Sequence, residues 1–184
     1  EAKAAIAVAA ATLVSRGDAV FLDDSTSALA CAERLSAQGP VTLITNFRKI
    51  QELAIGKPGV DLITLGGQYL SSNDSFQGAI TVLSIESLSA DIAFVPTTAV
   101  RGGACFHQVP RSVSVQRATL AAAVAQGPHR GPPQFAKRAL HRFALIQNFD
   151  TVVVDEDIAE LELAALRDLG VEVIVAESNR PLLA

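Results

Sequence analysis

The sequence predicts an α/β fold with a mostly parallel sheet covered by helices on both faces. Apolar, β-branched runs alternate with stretches of helical spacing, which is typical of parallel βαβ units. The runs are continuously apolar, as expected of strands buried on both faces. The expected strands are residues 18–25, 41–46, 60–67, 91–97, 151–156 and 171–178. The expected helices are residues 2–15, 26–37, 47–56, 78–88, 111–125 and 158–169.

Glycines stand just past several expected helices, where a left-handed C-cap favours that residue. They are Gly17, Gly39 and Gly170. One strand is missing from the alternation, in the interval between residues 125 and 151. That interval contains Gly127–Pro133 (GPHRGPP), whose prolines cannot donate to a sheet ladder. We expect an irregular segment there and a sheet that is weakened at that position.

The composition is that of a globular chain with a modest negative charge. Its 184 residues suffice for one domain, 49% of them are hydrophobic, and the net charge is −4. This charge excludes a broad basic face for nucleic acid, and no apolar run reaches the roughly 18 to 20 residues of a membrane helix. We expect a cytoplasmic protein that does not bind a membrane. The chain has no methionine and begins at Glu1, so we expect its natural start to be missing.

The cysteines and histidines form no pattern typical of a metal site or of catalysis. Cys31 and Cys105 are far apart and form no CxxC, so buried, reduced thiols are expected. The histidines have neither metal-ligand spacing nor a recognisable Ser–His–Asp arrangement. They are His107, His129 and His141. We expect no metal, no cofactor and no catalytic residue.

The most informative stretch is FLDDSTSALACAERL, residues 21–35. An apolar strand ends there, and acidic and hydroxyl residues lead directly into a helix. Free backbone N–H groups at a helix N-terminus suit a phosphate or carboxylate. The simpler interpretation is that Ser25 or Thr26 merely caps the helix. Asp23 and Asp24 are adjacent, so in a strand they point to opposite faces rather than act as a pair.

Two further strand ends carry residues that suit a ligand. VTLITN ends in Thr45-Asn46, and VDLITLGG ends in Gly66-Gly67. Ligands of parallel sheets gather at the carboxyl ends of the strands, so these residues together predict a cleft for a small polar molecule. Asn46 could equally be an N-cap, and the glycines an ordinary turn. The residues alone therefore predict an α/β domain with a cleft for an anion or a polyol.

Taken in order, these motifs resemble the sensor domain of DeoR-family bacterial transcriptional regulators. The segments that carry the resemblance are AAATLVSRGDAVFLDDSTSALACAERL, VTLITNFRKIQELA, VDLITLGGQYLSSNDSFQGAIT and SADIAFV. KRALHRF, FDTVVVDEDI and GVEVIVA continue it in the same order, so that it covers Ala2 to Ala176. The resemblance implies a fold like that of ribose-5-phosphate isomerase, and a single effector-sensing domain, without enzyme activity, over residues 1–184.

The resemblance also implies ligands and partners. It implies a phosphorylated sugar or related metabolite as effector, operator DNA bound through an N-terminal helix-turn-helix domain that this chain lacks, and a homo-oligomer, either dimer or tetramer. The regulator would be a repressor. By resemblance, the phosphate loop comprises Asp23, Ser25, Thr26 and Ser27. The sugar side is lined by Thr45, Asn46, Gly66 and Gly67, and Arg117 is a retained basic residue of the effector site.

The chain departs from the family pattern at several positions. Pro96 and Ala99 stand where glycines are usual, and Gln116 and Gln134 stand where lysines are usual. Loss of two charged hydrogen bonds would cost about 3–6 kcal/mol, on the order of a hundred-fold or more in affinity. Three explanations are open. This protein binds a different effector or binds one more weakly, another cation compensates for the missing lysines, or the sequence carries a local error. The candidate cations are Lys137, Arg117 and Arg130.

Three functions remain open at this point. The first is the effector-sensing and oligomerising domain of a DeoR-type regulator. The second is a sugar-phosphate isomerase-like enzyme, whose turnover would depend on Asp23 or Asp91. The third is an assembly domain that no longer responds to a ligand.

Overall fold

The structure, a computed structural model, describes residues 2–129 and 139–177. The helices are α1 (Ala2–Ala11), α2 (Thr26–Gln38), α3 (Arg48–Ala54), α4 (Ala79–Glu86), α5 (Pro110–Ala121) and α6 (Glu160–Asp168). The strands as far as α5 are β1 (Ala19–Leu22), β2 (Val41–Thr45), β3 (Val60–Thr64), β4 (Gln68–Leu70), β5 (Ser75–Gln77), β6 (Ala90–Pro96), β7 (Ala99–Arg101) and β8 (Ala104–His107). The later strands are β9 (Ala123–His129), β10 (His141–Leu145), β11 (Thr151–Asp155) and β12 (Glu172–Ala176).

A seven-stranded sheet forms the centre of the described part of the chain. Its order is β12-β11-β9-β6-β1-β2-β3, and every neighbouring pair is parallel. The carboxyl ends of all these strands therefore lie at one edge of the sheet. The predicted fold class is confirmed, and each predicted strand and helix has a counterpart with slightly different ends.

Alternate side chains of the strands pack against helices on the two faces. In β1, Val20 and Leu22 join α1, α2 and α3 in one core, whereas Phe21 joins α4 and α5 in the other. In β11, Val153 packs against α1, and its neighbours pack on the opposite face. Burial on both faces explains why these strands are continuously apolar in sequence.

Short antiparallel strands add two small sheets that the sequence analysis did not predict. One has the order β10-β8-β7, and the other is the hairpin β4–β5. The hairpin lies beside the end of β2, because the N–H of Phe76 donates to the carbonyl of Asn46 at 2.9 Å. The hairpin thus lies at the carboxyl edge of the large sheet.

The prediction of an irregular segment from Gly127 onward is wrong as far as His129. β9 continues through this stretch, with Gly127 opposite Phe94 and Pro128 opposite Val95 of β6. A proline removes one N–H but leaves its carbonyl, so pairing with one parallel neighbour can continue. Pairing with β11 is recorded only at Val153 and His129 in the described residues. The remainder of the predicted segment, residues 130–133, lies outside the described residues.

Several smaller expectations can also be compared with the structure. Gly170 follows α6 with a φ of +77°, as the predicted left-handed cap requires, whereas α1 already ends at Ala11, well before Gly17. Cys31 and Cys105 are both buried, and burial raises the pKa of the Cys31 thiol to about 12. Among the described residues, no helix is both long and apolar enough to span a membrane.

Candidate functional site

The start of α2 combines a capped helix terminus with free backbone donors. The Ser25 Oγ accepts a hydrogen bond from the N–H of Ala28 at 3.0 Å, so the capping interpretation is confirmed. The N–H groups of Thr26 and Ser27 have no hydrogen-bond partner among the described residues. Capping therefore leaves two donors, at the positive end of the helix dipole, available to an anion.

Asp23, the residue after β1, is buried with a free oxygen. Only 5% of the residue is exposed, and its Oδ1 has no hydrogen-bond partner. Burial raises the pKa of this carboxyl well above its ordinary value, and the adjacent Asp24 raises it further, whereas hydrogen bonding from Ser25 and Gln116 lowers it. A phosphate placed directly against Asp23 would add another negative charge, so this residue suits hydrogen-bond donors better.

Asp24 has other partners than Asp23, and both residues follow the end of β1 rather than lie within the strand. Its Oδ2 accepts hydrogen bonds from Asn73 Nδ2 at 3.1 Å, Ser75 Oγ at 2.7 Å and Gln77 Nε2 at 3.0 Å. All three donors belong to the β4–β5 hairpin or its turn. Asp24 therefore fixes the hairpin beside the end of β1.

Gln116 of α5 lies on the other side of Asp23. Its Nε2 donates to the carbonyl of Pro96 at 3.1 Å, and its Oε1 has no hydrogen-bond partner although the residue is buried. The bond to Pro96 fixes the amide, so that Oε1 is turned away from the β6 carbonyl. A neutral amide thus occupies the position at which the family resemblance leads one to expect an ammonium group.

Several buried oxygens near this edge of the sheet have no hydrogen-bond partner among the described residues. Ser112 and Gln116 are four residues apart and share one face of α5, Gln116 lies beside Asp23, and Gln77 is bound to the adjacent Asp24. In the described residues, four buried oxygens here lack a hydrogen-bond partner. We call these four the acceptor cluster: Asp23 Oδ1, Gln77 Oε1, Ser112 Oγ and Gln116 Oε1.

Thr45 and Asn46 use their side chains to support the local fold. The Thr45 Oγ1 accepts a hydrogen bond from the N–H of Phe47 at 3.1 Å. The Asn46 Nδ2 donates to the carbonyl of Phe76 at 2.8 Å, and so holds the hairpin rather than capping α3. Both residues lie at the predicted edge, and the bonds seen here are internal to the protein.

Gly66 and Gly67 differ in what surrounds them. A Cβ on Gly67, whose φ is +144°, would lie 2.2 Å from Thr81 Oγ1 and 2.8 Å from the carbonyl oxygen of Gln77. Gly67 is therefore required for close packing of the hairpin on α4. Nothing lies within 4 Å of the corresponding position at Gly66, whose carbonyl accepts from Thr81 Oγ1 at 2.7 Å.

Arg117, the predicted basic residue of the site, is bound to β10. Its Nη2 donates to the carbonyl of Arg142 at 2.7 Å, and its Nε donates to that of Phe143 at 3.4 Å. Arg111 at the start of α5 is also occupied, since its Nη1 donates to Gln68 Oε1 at 2.7 Å. The proposed compensating residues Arg130 and Lys137 lie outside the described residues, as does Gln134.

Asp91 lies at the opposite edge of the sheet from Asp23. Its Oδ2 accepts a hydrogen bond at 2.7 Å from the N–H of Ala19, the first residue of β1. The strands are parallel, so Asp91 is separated from Asp23 by the length of β1. The structure thus gives Asp91 a role in holding two strand starts together, away from the acceptor cluster.

The sequence analysis missed Gln77 and Ser112. Ser112 carried a usable signal: a core-facing helix normally presents apolar residues at i and i+4, and α5 presents Ser112 and Gln116 there. Gln77 carried no local signal, because its position depends on the β4–β5 hairpin.

Comparisons with known proteins agree with this architecture. A ribose 5-phosphate isomerase A structure from Methanocaldococcus jannaschii superposes with a TM-score of 0.52 at 17% identity, covering 74% of this chain and 54% of that one. The transcriptional repressor AccR of Agrobacterium fabrum is 30% identical over 156 residues, which are 83% of this chain and 60% of AccR. The HTH-type transcriptional repressor GlcR of Bacillus subtilis is 27% identical over 184 residues, which are 97% of this chain and 69% of GlcR.

The fold thus defines a parallel α/β domain of the ribose-5-phosphate isomerase type. A model of the DeoR C-terminal sensor domain matches residues 1–156, and the chain belongs to that family. Both of these relatives, AccR and GlcR, are transcriptional repressors. The chain spans 60% of AccR and 69% of GlcR, so both relatives are longer proteins.

Proposed function

We propose that this domain senses a phosphorylated sugar or related metabolite for a DNA-binding repressor. The free N–H groups of Thr26 and Ser27 at the start of α2 carry this proposal, because two backbone donors at a helix N-terminus suit an anion. The phosphate would bind at these two N–H groups, with the hydroxyl of Ser25 beside it. The sugar would extend toward Asp23, Gly66 and the ends of β2 and β3.

Regulation would follow from a difference in ligand affinity between two arrangements of the whole protein. The operator would be bound by a separate helix-turn-helix domain, and the effector would shift the balance between DNA-competent and DNA-incompetent forms. Such a protein would work in the cytoplasm. The test is operator binding by a protein in which this domain is joined to a helix-turn-helix domain, measured with and without sugar phosphates; an affinity that none of them changes would contradict this part of the proposal.

Assembly into a dimer or tetramer belongs to the same proposal. Large apolar side chains are exposed on α4, where Ile80 is 66% and Leu83 is 64% exposed, and Ile63 is partly exposed on the edge strand β3. Exposed apolar residues of this kind favour contact with another subunit. Sedimentation of the chain should give a dimer or tetramer, and a monomer at micromolar concentration would contradict this expectation.

Thermal unfolding with a panel of sugar and polyol phosphates tests the sensing proposal. A ligand at about 100 times its Kd should stabilise the fold by about 2.7 kcal/mol. For a domain of this size, that free energy corresponds to a rise in Tm of roughly 5–10 °C. Absence of any shift would contradict sensing and would favour a domain that serves only assembly.

A pair of substitutions at Thr26 tests the phosphate position. Thr26→Pro removes one N–H at the first position of α2, where proline is tolerated, and Ser25 already has the extended backbone that precedes proline (φ −115°, ψ 158°). Loss of one hydrogen bond to a charged group should weaken phosphate binding about 10- to 100-fold. Thr26→Val keeps the N–H and removes only the hydroxyl, so it is the matched control. Equal affinity in both variants would place the anion elsewhere.

A further inference from the structure

The acceptor cluster contains more hydrogen-bonding capacity than the protein itself uses. Ser112 is 1% exposed and Gln116 is 2% exposed, and neither Ser112 Oγ nor Gln116 Oε1 has a hydrogen-bond partner. Asp23 Oδ1 and Gln77 Oε1 lie at the same edge of the sheet, and they too are buried without a hydrogen-bond partner. Folded proteins pair nearly all buried polar atoms with protein or ordered water, so four unpaired oxygens near one edge of the sheet point to partners from outside the chain.

The four oxygens of the acceptor cluster determine which chemical groups can bind there. Carboxylate and amide oxygens accept hydrogen bonds, and a serine hydroxyl accepts as well as donates. The nearby guanidinium groups of Arg111 and Arg117 are bound to Gln68 and to the carbonyls of β10. Among the described contacts, both guanidinium groups are thus directed to neutral oxygens of the protein, and none of their hydrogen bonds described here goes to the cluster.

We propose that the acceptor cluster binds hydroxyl or ammonium groups of the effector and thereby selects which phosphorylated compound is sensed. This proposal rests on the proposed function, because it places the phosphate at the start of α2 and the donor groups of the same molecule at Asp23, Gln77, Ser112 and Gln116. The cluster accepts donors and rejects a carboxylate. Gln116 places a neutral amide where an ammonium group would attract anions, so the cluster favours polyol or amino-sugar phosphates over sugar acids.

The test measures binding of four probes to the 184-residue chain by calorimetry. The probes are inorganic phosphate, glucose 6-phosphate, glucosamine 6-phosphate and 6-phosphogluconate. The chief variant is Ser112→Ala, which removes one acceptor and breaks no hydrogen bond seen in the described residues. The matched control is Ser114→Ala, an exposed serine of the same helix.

The proposal predicts a specific pattern of affinities. Glucose 6-phosphate, glucosamine 6-phosphate or both should bind more tightly than inorganic phosphate, and 6-phosphogluconate should bind no better than phosphate. Ser112→Ala should weaken the favoured sugar phosphate about 3- to 10-fold while leaving inorganic phosphate and thermal stability unchanged. Ser114→Ala should change neither. A preference for glucosamine 6-phosphate identifies the donor as ammonium, and a preference for glucose 6-phosphate identifies it as hydroxyl.

Other outcomes separate this proposal from the one on which it rests. If inorganic phosphate binds, but the sugar phosphates bind no tighter or Ser112→Ala leaves them unaffected, the anion site stands and the acceptor cluster is filled by water alone. Equal or tighter binding of 6-phosphogluconate overturns the proposal as well. If none of the four probes binds, both proposals fail.

Discussion

Gln77 donates a hydrogen bond from its Nε2 to Oδ2 of Asp24 at 3.0 Å, and so connects the β4–β5 hairpin to the end of the first strand. The same Nε2 lies 3.0 Å from Ser75 Oγ, which also donates to Asp24. One carboxylate thus organises a hairpin more than 40 residues later in the chain. Because the hairpin covers the edge at which the acceptor cluster lies, its position and that of the site depend on Asp24.

Asp24→Asn should lower stability strongly. The change removes the negative charge and turns one acceptor into a donor facing other donors, which should cost about 2–4 kcal/mol. Thermal unfolding should show a fall in Tm of roughly 5–15 °C. Asp61→Asn, on the exposed side of the edge strand β3, is the control and should have little effect. A stable Asp24→Asn protein would show that the hairpin is held in another way.

Gly67→Ala should destabilise the fold, whereas Gly66→Ala should not. The new methyl at Gly67 would meet Thr81 Oγ1 at 2.2 Å and would force alanine into a backbone conformation with a φ of +144°. We expect a loss of about 2 kcal/mol or more at Gly67, measured by urea unfolding. A methyl group on Gly66 would meet open space, so Gly66→Ala is the matched control. Similar losses in both variants would contradict the packing described here.

Asp23→Asn should change the pH dependence of stability. The folded-state pKa of Asp23 is raised, so over a range of pH the folded protein holds a proton that the unfolded chain has released. The free energy of unfolding of the wild type should therefore fall as pH rises from the ordinary carboxyl pKa, 3.8, through the raised pKa. Asn cannot titrate, so the free energy of unfolding of the variant should rise relative to that of the wild type across this pH window. Above the window, the variant should remain the more stable of the two.

The pH experiment has a built-in comparison. Asp61→Asn, which removes an exposed acidic side chain of β3, is the control variant. Asp24 is unchanged in Asp23→Asn, so the variant and the wild type differ at residue 23 alone. A variant that is less stable than the wild type at neutral pH would show that the Asp23 carboxylate supports the fold by itself.

Arg117→Ala should reduce stability more than it reduces phosphate binding. The guanidinium satisfies the carbonyls of Arg142 and Phe143, and its removal should cost about 1–3 kcal/mol. Chemical unfolding and calorimetric binding of inorganic phosphate measure the two effects separately. Arg167→Ala, an exposed arginine of α6, is the control. A ten-fold loss of phosphate affinity without loss of stability would instead support Arg117 as a direct ligand of the effector.

The large sheet could be predicted from sequence because its strands are buried on both faces. Runs such as that of β11 are apolar at nearly every position, and this signal needs no knowledge of the partner strand. The short strands β4, β5, β7 and β8 have three or four residues each, too few for a periodic signal. They are defined by their antiparallel partners, and in the case of β5 by Asp24.

β9 was missed for a different reason. The composition of Gly127–Pro133 is that of a loop, yet β6 provides a strand beside which Gly127 and Pro128 continue the pairing. Long-range pairing thus prevailed over local preference, which is common for strands. At the candidate site, the start of α2 was found because hydroxyl residues before a helix have a local meaning. The acceptor cluster was not predicted, because it combines residues from the end of β1, from β5 and from α5.

β9 also determines how the sheet is joined. The strands β6, β1, β2 and β3 form one block, and β11 and β12 form another. The pairing between the blocks passes through β9, whose described residues pair in register with β11 at one position, His129 with Val153. α1 lies across this joint: Ile6 packs with Val153 of the second block, and Ala10 belongs to the core of the first. The first helix therefore packs on both blocks of the sheet and holds them together. A substitution in α1 that loosens its packing would affect both sides of the joint, including the strands β11 and β12 that lie far from α1 in the sequence.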